Sequence, residues 1–265
     1  MNKLVMRAGI LITGAMLLLA GCSSAINVAS NSAIGKGSGK GEVVTHSVES
    51  FEAAQFSKVN IQTEAMNIVI TQNDQDEASV ELLTDELIKD QITFDASIQG
   101  EVLEVNVSER GKSMKDNSGE RTLLITLPTN EELALNVSNA FGSIKLEDLV
   151  LDEATLELNA GNIYTNKVIG HIDATVNAGE LEILKAKSEH GILAHVDAGN
   201  IKVEYDGAPQ QASYDLRAEV GTVKLTVDDV DYSLNKKNEI QGKLGSNGAV
   251  VQARVNVGNI SVTVK

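Results

Sequence analysis

Residues 156–163 read LELNAGNI, residues 175–181 read TVNAGEL and residues 195–201 read HVDAGNI. Each copy is an alternating apolar segment, an Asn or Asp, Ala-Gly, a polar residue and then Ile or Leu. The glycines Gly161, Gly179 and Gly199 stand 18 and 20 residues apart, and weaker copies carry Gly142 (SNAFGSI), Gly221 (AEVGTV) and Gly258 (VNVGNI). Side chains on a strand alternate between two faces, so aligning the copies on glycine sorts them. Leu156, Leu158 and Ala160 share one face, as do Ala174, Val176 and Ala178, then Ala194, Val196 and Ala198, then Leu216, Ala218 and Val220, then Ala253, Val255 and Val257. These are the expected interior positions. Glu157 with Asn159, Thr175 with Asn177, His195 with Asp197, Arg217 with Glu219 and Arg254 with Asn256 are expected to face water.

After each glycine the alternation resumes, as in Ile163, Leu181 with Ile183, Ile201 with Val203, Val223 with Leu225 and Ile260 with Val262. The six glycines are therefore expected at corners, where a positive φ or close backbone approach suits a residue without Cβ. A repeat of about 19 residues has a contour of roughly 60 Å at about 3.3 Å per residue, enough for two or three short strands. Units that each expose an apolar face bury it by stacking. The expected fold is all-β, a right-handed β-helix or solenoid-like stack of such repeats, its hand following the rule for parallel connections. An antiparallel β-sandwich is the alternative.

The chain opens with Lys3 and Arg7, an apolar run over residues 8–20 and then Leu19-Ala20-Gly21-Cys22. A short basic region before about 13 mostly apolar residues is the pattern of a secretory signal, too short for an ordinary membrane span. The LAGC tetrapeptide resembles a bacterial lipobox. That resemblance implies a lipoprotein signal peptide over residues 1–21, cleavage before Cys22, and diacylglycerol on the Cys22 sulfur as the lipid anchor. Each buried methylene contributes about 0.8 kcal/mol to such an anchor. The expectation is an exported protein, lipid-anchored to a bacterial membrane, either the cell membrane or an outer membrane. Cys22 is the only cysteine, so no intramolecular disulfide can form. Residues 22–42, rich in Ser, Ala, Asn, Gly and Lys, are expected to be a flexible tether.

Removing Lys3 and Arg7 leaves 20 basic against 37 acidic side chains, a formal charge of −17. Such a surface argues against nucleic acid, whose phosphates demand a basic patch. It favours solubility and discourages lateral association of exposed strands. With two prolines, no tryptophan and four phenylalanines, the core must be built from Val, Ile, Leu and Ala.

Residues 43–265 are expected to form a single domain, with irregular N-terminal coils over 43–129 and regular repeats over 130–265. VNIQTEAMNIVI (59–70) has the later rhythm, with Met66-Asn67 in the glycine position. ASVELL, ITFDAS, EVLEVNVS and TLLITLP follow as strands, separated by the turn-rich QNDQDE and RGKSMKDNSGER. Pro128 is expected to end its strand, since it cannot donate to a ladder. TDELIKDQ (84–91) suggests one helical turn capped by Thr84. The interval between Gly221 and Gly258 is close to two periods. It reads as one degenerate coil with an excursion over 235–248 that carries Lys236, Lys237 and Lys243.

These features, an early V-x-I-x-T with an apolar return, the strand L-x-I-x-L-P from Leu123 to Pro128 and the repeated G-[NES]-[IL] corners, resemble the bacterial "putative adhesin" family of β-strand-repeat domains of unknown function. The likeness spans residues 43–265. It implies an all-β, solenoid-like fold in surface-attached or membrane-associated bacterial proteins, and it brings no catalytic residues.

No reactive constellation is evident. His195 and Asp197 share one side of a strand, which suits an oriented imidazole or half a metal site, but their column is otherwise Glu157, Thr175, Arg217 and Arg254. His171 and His190 sit at turns, and no His-x-His or His-x₃-His spacing is present. G-x-S-x-G elbows, phosphate-binding glycine loops and paired cysteines are lacking. Asn159, Asn177, Asp197, Glu219 and Asn256 form the most regular polar column, read as a hydrogen-bonded ladder. No cofactor or metal is expected. The first functional reading is a non-enzymatic, lipid-anchored envelope protein whose extended β surface contacts a protein or polysaccharide. The second is a structural or stress-sensing accessory of a neighbouring membrane protein. A third, a glycan hydrolase, needs two carboxylates facing one cleft.

Overall fold

Alternating Val, Ile and Leu produce strands nearly everywhere in this computed structural model, which describes residues 41–110, 119–130 and 132–265. The signal peptide, Cys22, most of the tether and the middle of RGKSMKDNSGER lie outside the described residues. The strands are β1 Val43–Glu52, β2 Lys58–Asn73, β3 Glu77–Asp85, β4 Ile92–Gln99, β5 Val102–Glu109, β6 Arg121–Pro128, β7 Ala134–Ala186, β8 Ile192–Tyr205, β9 Ala212–Thr226, β10 Asp231–Lys236, β11 Glu239–Leu244 and β12 Val250–Val264. They make one sheet in the order β1-β3-β6-β2-β7-β8-β12-β9-β11-β10, with β5 also on β2 and β4 on β5.

At 53 residues, β7 would reach about 175 Å if straight, at about 3.3 Å per residue. Instead it folds back upon itself. The Asp152 amide donates to the Leu133 carbonyl at 3.0 Å, and Gly161 and Gly179 lie against the carbonyls of Gly142 and Gly161. Three rungs are thus contained in β7, preceded by β2 and followed by β8, β12 and β9. Pairing among them is parallel and in register with the repeat. Ile61 faces Val137, Val176 faces Val196, Leu181 faces Ile201, and Ile260 faces both Ile201 and Val223. Antiparallel pairing is confined to the ends, in β1·β3·β6, β4·β5 and β9·β11·β10.

Each rung has a first wall before the glycine and a second wall after it. Leu156, Leu158 and Ile163, and in the next rung Ala174, Val176, Leu181 and Ile183, are at most 2 % exposed. A fully buried aliphatic side chain contributes about 1.5–3 kcal/mol, so a thin core without tryptophan suffices when every rung repeats it. A second bend follows at Asp148, Lys167 and Lys185, non-glycine residues with φ of 53° to 59° spaced by 19 and 18 residues. Asp148 and Lys167 pair across neighbouring rungs at 2.7 Å.

Four expectations need correction. Ala160, Ala178, Ala198, Val220 and Val257 are not interior; Ala160 is half-buried, the rest are exposed, and Val220 and Val257 reach 64 % and 55 %. The buried residues Leu158 and Ile163 are five apart, an odd step, so strict alternation cannot hold through the corner. The phase flips there and turns the pre-glycine residue outward. Second, the coils do not stack in chain order. β12 inserts between β8 and β9, and the segment read as a degenerate coil is the antiparallel hairpin β10–β11 lying on β9. Third, the helical turn in 84–91 is a short 3-10 turn at Lys89–Gln91, while Thr84 is buried in β3. Ahead of the turn, the Asp85 carboxylate accepts from the Leu87 amide at 2.9 Å. Fourth, the N-terminal segment is not a run of coils alone. Only β2 is a full rung, and β1, β3 and β4 add antiparallel strands at that end.

Candidate functional site

The six repeat glycines form a column held in backbone contact. Gly142 sits on Met66, Gly161 on Gly142, Gly179 on Gly161, Gly199 on Gly179, Gly258 on Gly199 and Gly221 on Gly258, with φ between 115° and 148°. A Cβ at any of these six glycines would fall 1.6–2.1 Å from the carbonyl oxygen of the rung below. Only glycine permits that approach. At the first rung, where Met66 replaces glycine, a buried polar knot closes the corner. Thr63 donates to Asn139 Oδ1 at 2.8 Å, and Asn139 donates to the Met66 carbonyl at 2.9 Å.

Two polar ladders flank this column. On the first wall, Asn177 donates to Asn159 at 3.1 Å, and Asn256 donates to Asp197 at 2.8 Å. The second ladder, at the post-glycine position, was not recognised in the sequence. Glu180 N donates to Asn162 at 3.1 Å, Asn200 to Glu180 at 3.3 Å, Asn259 to Asn200 at 3.1 Å and the Thr222 hydroxyl to Asn259 at 2.7 Å. Its signal was the N, E or S after each glycine, read only as corner composition. Between the ladders runs the exposed ridge of pre-glycine residues, with Phe141 57 % exposed.

His195 Nε2 lies 3.0 Å from Asp197 Oδ1, the same oxygen that accepts from Asn256. Its column neighbours Arg254 and Arg217 are likewise occupied, Arg254 with Asp215 and Arg217 with Glu219 at 3.0 Å. The Arg254 guanidinium, by hydrogen bonding, holds the Asp215 carboxyl below the usual carboxylate range, against the opposing effect of burial. This face is thus a ladder of short-range pairs. His171, in β7, lies beside Gly191, and among the described residues no cluster of three His, Cys, Asp or Glu could hold a metal.

At the N-terminal end the same outer face is concave. A groove of about 640 Å³ crosses four adjacent strands. Asn60, Gln62 and Glu64 come from β2, Asn106 and Ser108 from β5, and Asn136, Ser138, Thr155 and Glu157 from the first two rungs of β7. Register sets the arrangement, with Gln62 beside Asn106 on one side and Ser138 on the other. Asn60 donates to Glu104 at 2.6 Å. No sequence motif singled out this groove, because its residues belong to strands distant in the chain.

No curated protein matches this chain. Among solved structures, a putative cell adhesion protein from Clostridium sporogenes ATCC 15579 is similar, with a TM-score of 0.50 and 12 % identity over 84 % of this chain and 100 % of that one. A putative adhesin from Bacteroides fragilis NCTC 9343 covers 83 % of this chain and 97 % of its own at 14 % identity, with a TM-score of 0.36. A putative lipid binding protein from Parabacteroides distasonis ATCC 8503 covers 86 % and 98 % at 9 % identity, with a TM-score of 0.32. At such identities the likeness concerns the fold. The Toastrack DUF4097 family matches residues 56–168 and again residues 134–263, two overlapping copies that follow the repeat and agree with the resemblance drawn from the G-[NES]-[IL] corners. This chain belongs to the Toastrack DUF4097 family.

Proposed function

We propose that this protein is a non-enzymatic, lipid-anchored component of the bacterial cell envelope, held to the membrane through Cys22, that binds a partner through the outer face of its β stack in the manner of an adhesin. The scaffold for that role is a right-handed solenoid of about 19-residue coils, a reading supported by parallel in-register pairing at the repeat period and by the handedness of parallel connections. The observation that carries the proposal is the polar groove on the first wall, a recognition surface formed on rigid strands. Among the described residues no helix is long and apolar enough to cross a membrane.

The groove also supplies the concave site that a hydrolase requires, with Glu64 and Glu157 in its lining. Those residues stand two rungs apart and two residues out of register, since Glu157 shares its column with Ser138 and Gln62, about 12 Å between backbones at about 4.8 Å per rung and about 3.3 Å per residue. That offset does not set the two side chains opposite each other in one column, which favours binding over cleavage.

The test is adhesion of whole bacterial cells and of solubilised envelope to the purified protein. Saturable binding, with added oligosaccharides recovered uncleaved, supports the proposal. Release of reducing ends would replace it with a hydrolase. Co-purification of one membrane protein after crosslinking, without cell or glycan binding, would turn it toward the accessory role. A Cys22→Ser variant is expected in the soluble fraction, and its retention in membranes would refute the anchor.

A further inference from the structure

The outer face of the first wall changes character along the stack. In the later rungs its side chains satisfy one another: Asn177 with Asn159, His195 and Asn256 with Asp197, Arg254 with Asp215, and Arg217 with Glu219. In the groove, Gln62, Asn106, Asn136, Ser138 and Glu157 line the hollow, yet none of them makes a side-chain hydrogen bond or ion pair with another described residue. The residue classes are the same and the spacing is the same, about 4.8 Å per rung. What differs is that these donors and acceptors converge on a cavity and are left for whatever fills it.

The lining narrows the chemistry of the occupant. β2 is paired on both edges, by β5 and β7, and β5 by β2 and β4, so the groove floor offers an added peptide strand no free backbone ladder. Among the described lining residues there is no aromatic side chain and no Leu, Ile or Met, and Val107 and Val137 are 2 % exposed, so they offer an apolar anchor no pocket. Among the described lining residues there is no Lys or Arg, while Glu64 and Glu157 are present, within a protein of net charge −15, which disfavours an anionic ligand. A sugar chain without acidic groups, which engages amides, hydroxyls and carboxylates through many hydrogen bonds, fits this lining.

We propose that the groove binds a neutral or amine-bearing glycan lying across β5, β2 and the first two rungs of β7, a path of about 14 Å set by three inter-strand spacings of about 4.8 Å. This rests on the binding function proposed above and gives it a site and a ligand class. Gln62, Asn106 and Asn136 hydrogen-bond ring hydroxyls, and Glu157 favours a protonated amine where the glycan has one.

The full-length protein in detergent micelles is titrated calorimetrically with a cello-oligosaccharide, a chitin oligosaccharide, its deacetylated form and an oligogalacturonate. Saturable binding of at least one of the first three, and none of the uronate, is expected. Gln62→Ala with Asn136→Ala should raise Kd at least tenfold with an unchanged melting temperature, and Glu157→Gln should weaken the deacetylated form more than the acetylated one. Glu182→Gln, on the second wall, should change neither. Tightest binding of the uronate, or glycan binding indifferent to the groove variants, overturns the proposal. Loss of an envelope-protein crosslink in those variants, without glycan binding, also overturns it in favour of a protein ligand. If no glycan binds while whole cells still do, the groove assignment fails and the adhesin-like function stands; if neither binds, both fail.

Discussion

Replacing Gly179 by alanine tests the corner at its centre. The alanine Cβ would lie 1.7 Å from the Gly161 carbonyl oxygen and 2.7 Å from its carbon, in a backbone with φ of 144°. That φ belongs to a region almost restricted to glycine, which alone costs about 1–3 kcal/mol. The overlap is with backbone, so it is relieved only by parting the rungs. Losing two ladder hydrogen bonds at about 1 kcal/mol each brings the total to roughly 3–5 kcal/mol. For a domain of this size, about 2–4 °C per kcal/mol translates into a fall of roughly 6–20 °C in Tm. Gly100→Ala is the control, with φ of 66° but no atom within 4 Å of the new Cβ. It carries only left-handed strain, about 1–2 kcal/mol. Differential scanning calorimetry of both variants decides the matter. If Gly179→Ala melts no lower than Gly100→Ala, rung contact through the glycine column is not what closes the corner.

Further outcomes follow from buried and paired polar groups. Burial raises the phenol pKa of both Tyr205 and Tyr214, and neither buried hydroxyl meets hydrogen-bond geometry although the two rings influence each other's ionisation. Because the folded pKa lies above the unfolded value of about 10, this stability is complete below pH 10 and lost as pH rises above it. Tyr205→Phe with Tyr214→Phe should flatten the alkaline limb of Tm against pH. Asp215 behaves in the opposite sense: its folded pKa is lowered, so its contribution is present above about pH 4 and lost as pH falls through the folded value. Since the pair is about one-third exposed, Asp215→Asn should cost no more than about 1 kcal/mol at neutral pH and should reduce acid sensitivity in urea denaturation. Asn139→Ala strips partners from the Thr63 hydroxyl and the Met66 carbonyl, and should lower stability by about 2–3 kcal/mol; in a double-mutant cycle, coupling to Thr63→Val of at least about 0.5 kcal/mol checks the knot.

Much of the fold was written in residue spacing. The walls of each rung follow from Leu156 and Leu158, Val176, Leu181 and Ile183, because burial acts on single side chains and repeats with the backbone. The failure at Ala160, Ala178 and Ala198 was avoidable in principle. Leu158 and Ile163 are apolar residues at an odd separation, and burying both requires two neighbouring residues between them to face out. The second bend was also visible as the recurrence of Asp148, Lys167 and Lys185 at the repeat period. It was missed because lysine carries no turn preference, and the surrounding rungs, not the residue, impose its left-handed φ.

The order of the rungs is a different kind of information. β8, β9 and β12 carry the same alternation and the same glycine, and β12 matches both neighbours in one register, Val251 facing Ile192 and Tyr214, Ile260 facing Ile201 and Val223. Inward patterns alone therefore cannot say which of β9 and β12 lies next to β8. The outward residues can. With β12 between them, Asp197 receives Asn256, Asn200 receives Asn259, and Arg254 reaches Asp215. Stacking β9 directly on β8, with β12 beyond it, would leave Arg254 beside Asp215 but place Glu219 beside Asp197 and separate Asn200 from Asn259, a like-charge contact in place of two hydrogen bonds. Chain order obscured this, since it assumed that neighbours in sequence are neighbours in space. The groove was hidden for the same reason. Gln62, Asn106 and Asn136 become one surface only when β5 and β7 flank β2, a juxtaposition set by long-range pairing that local periodicity does not encode.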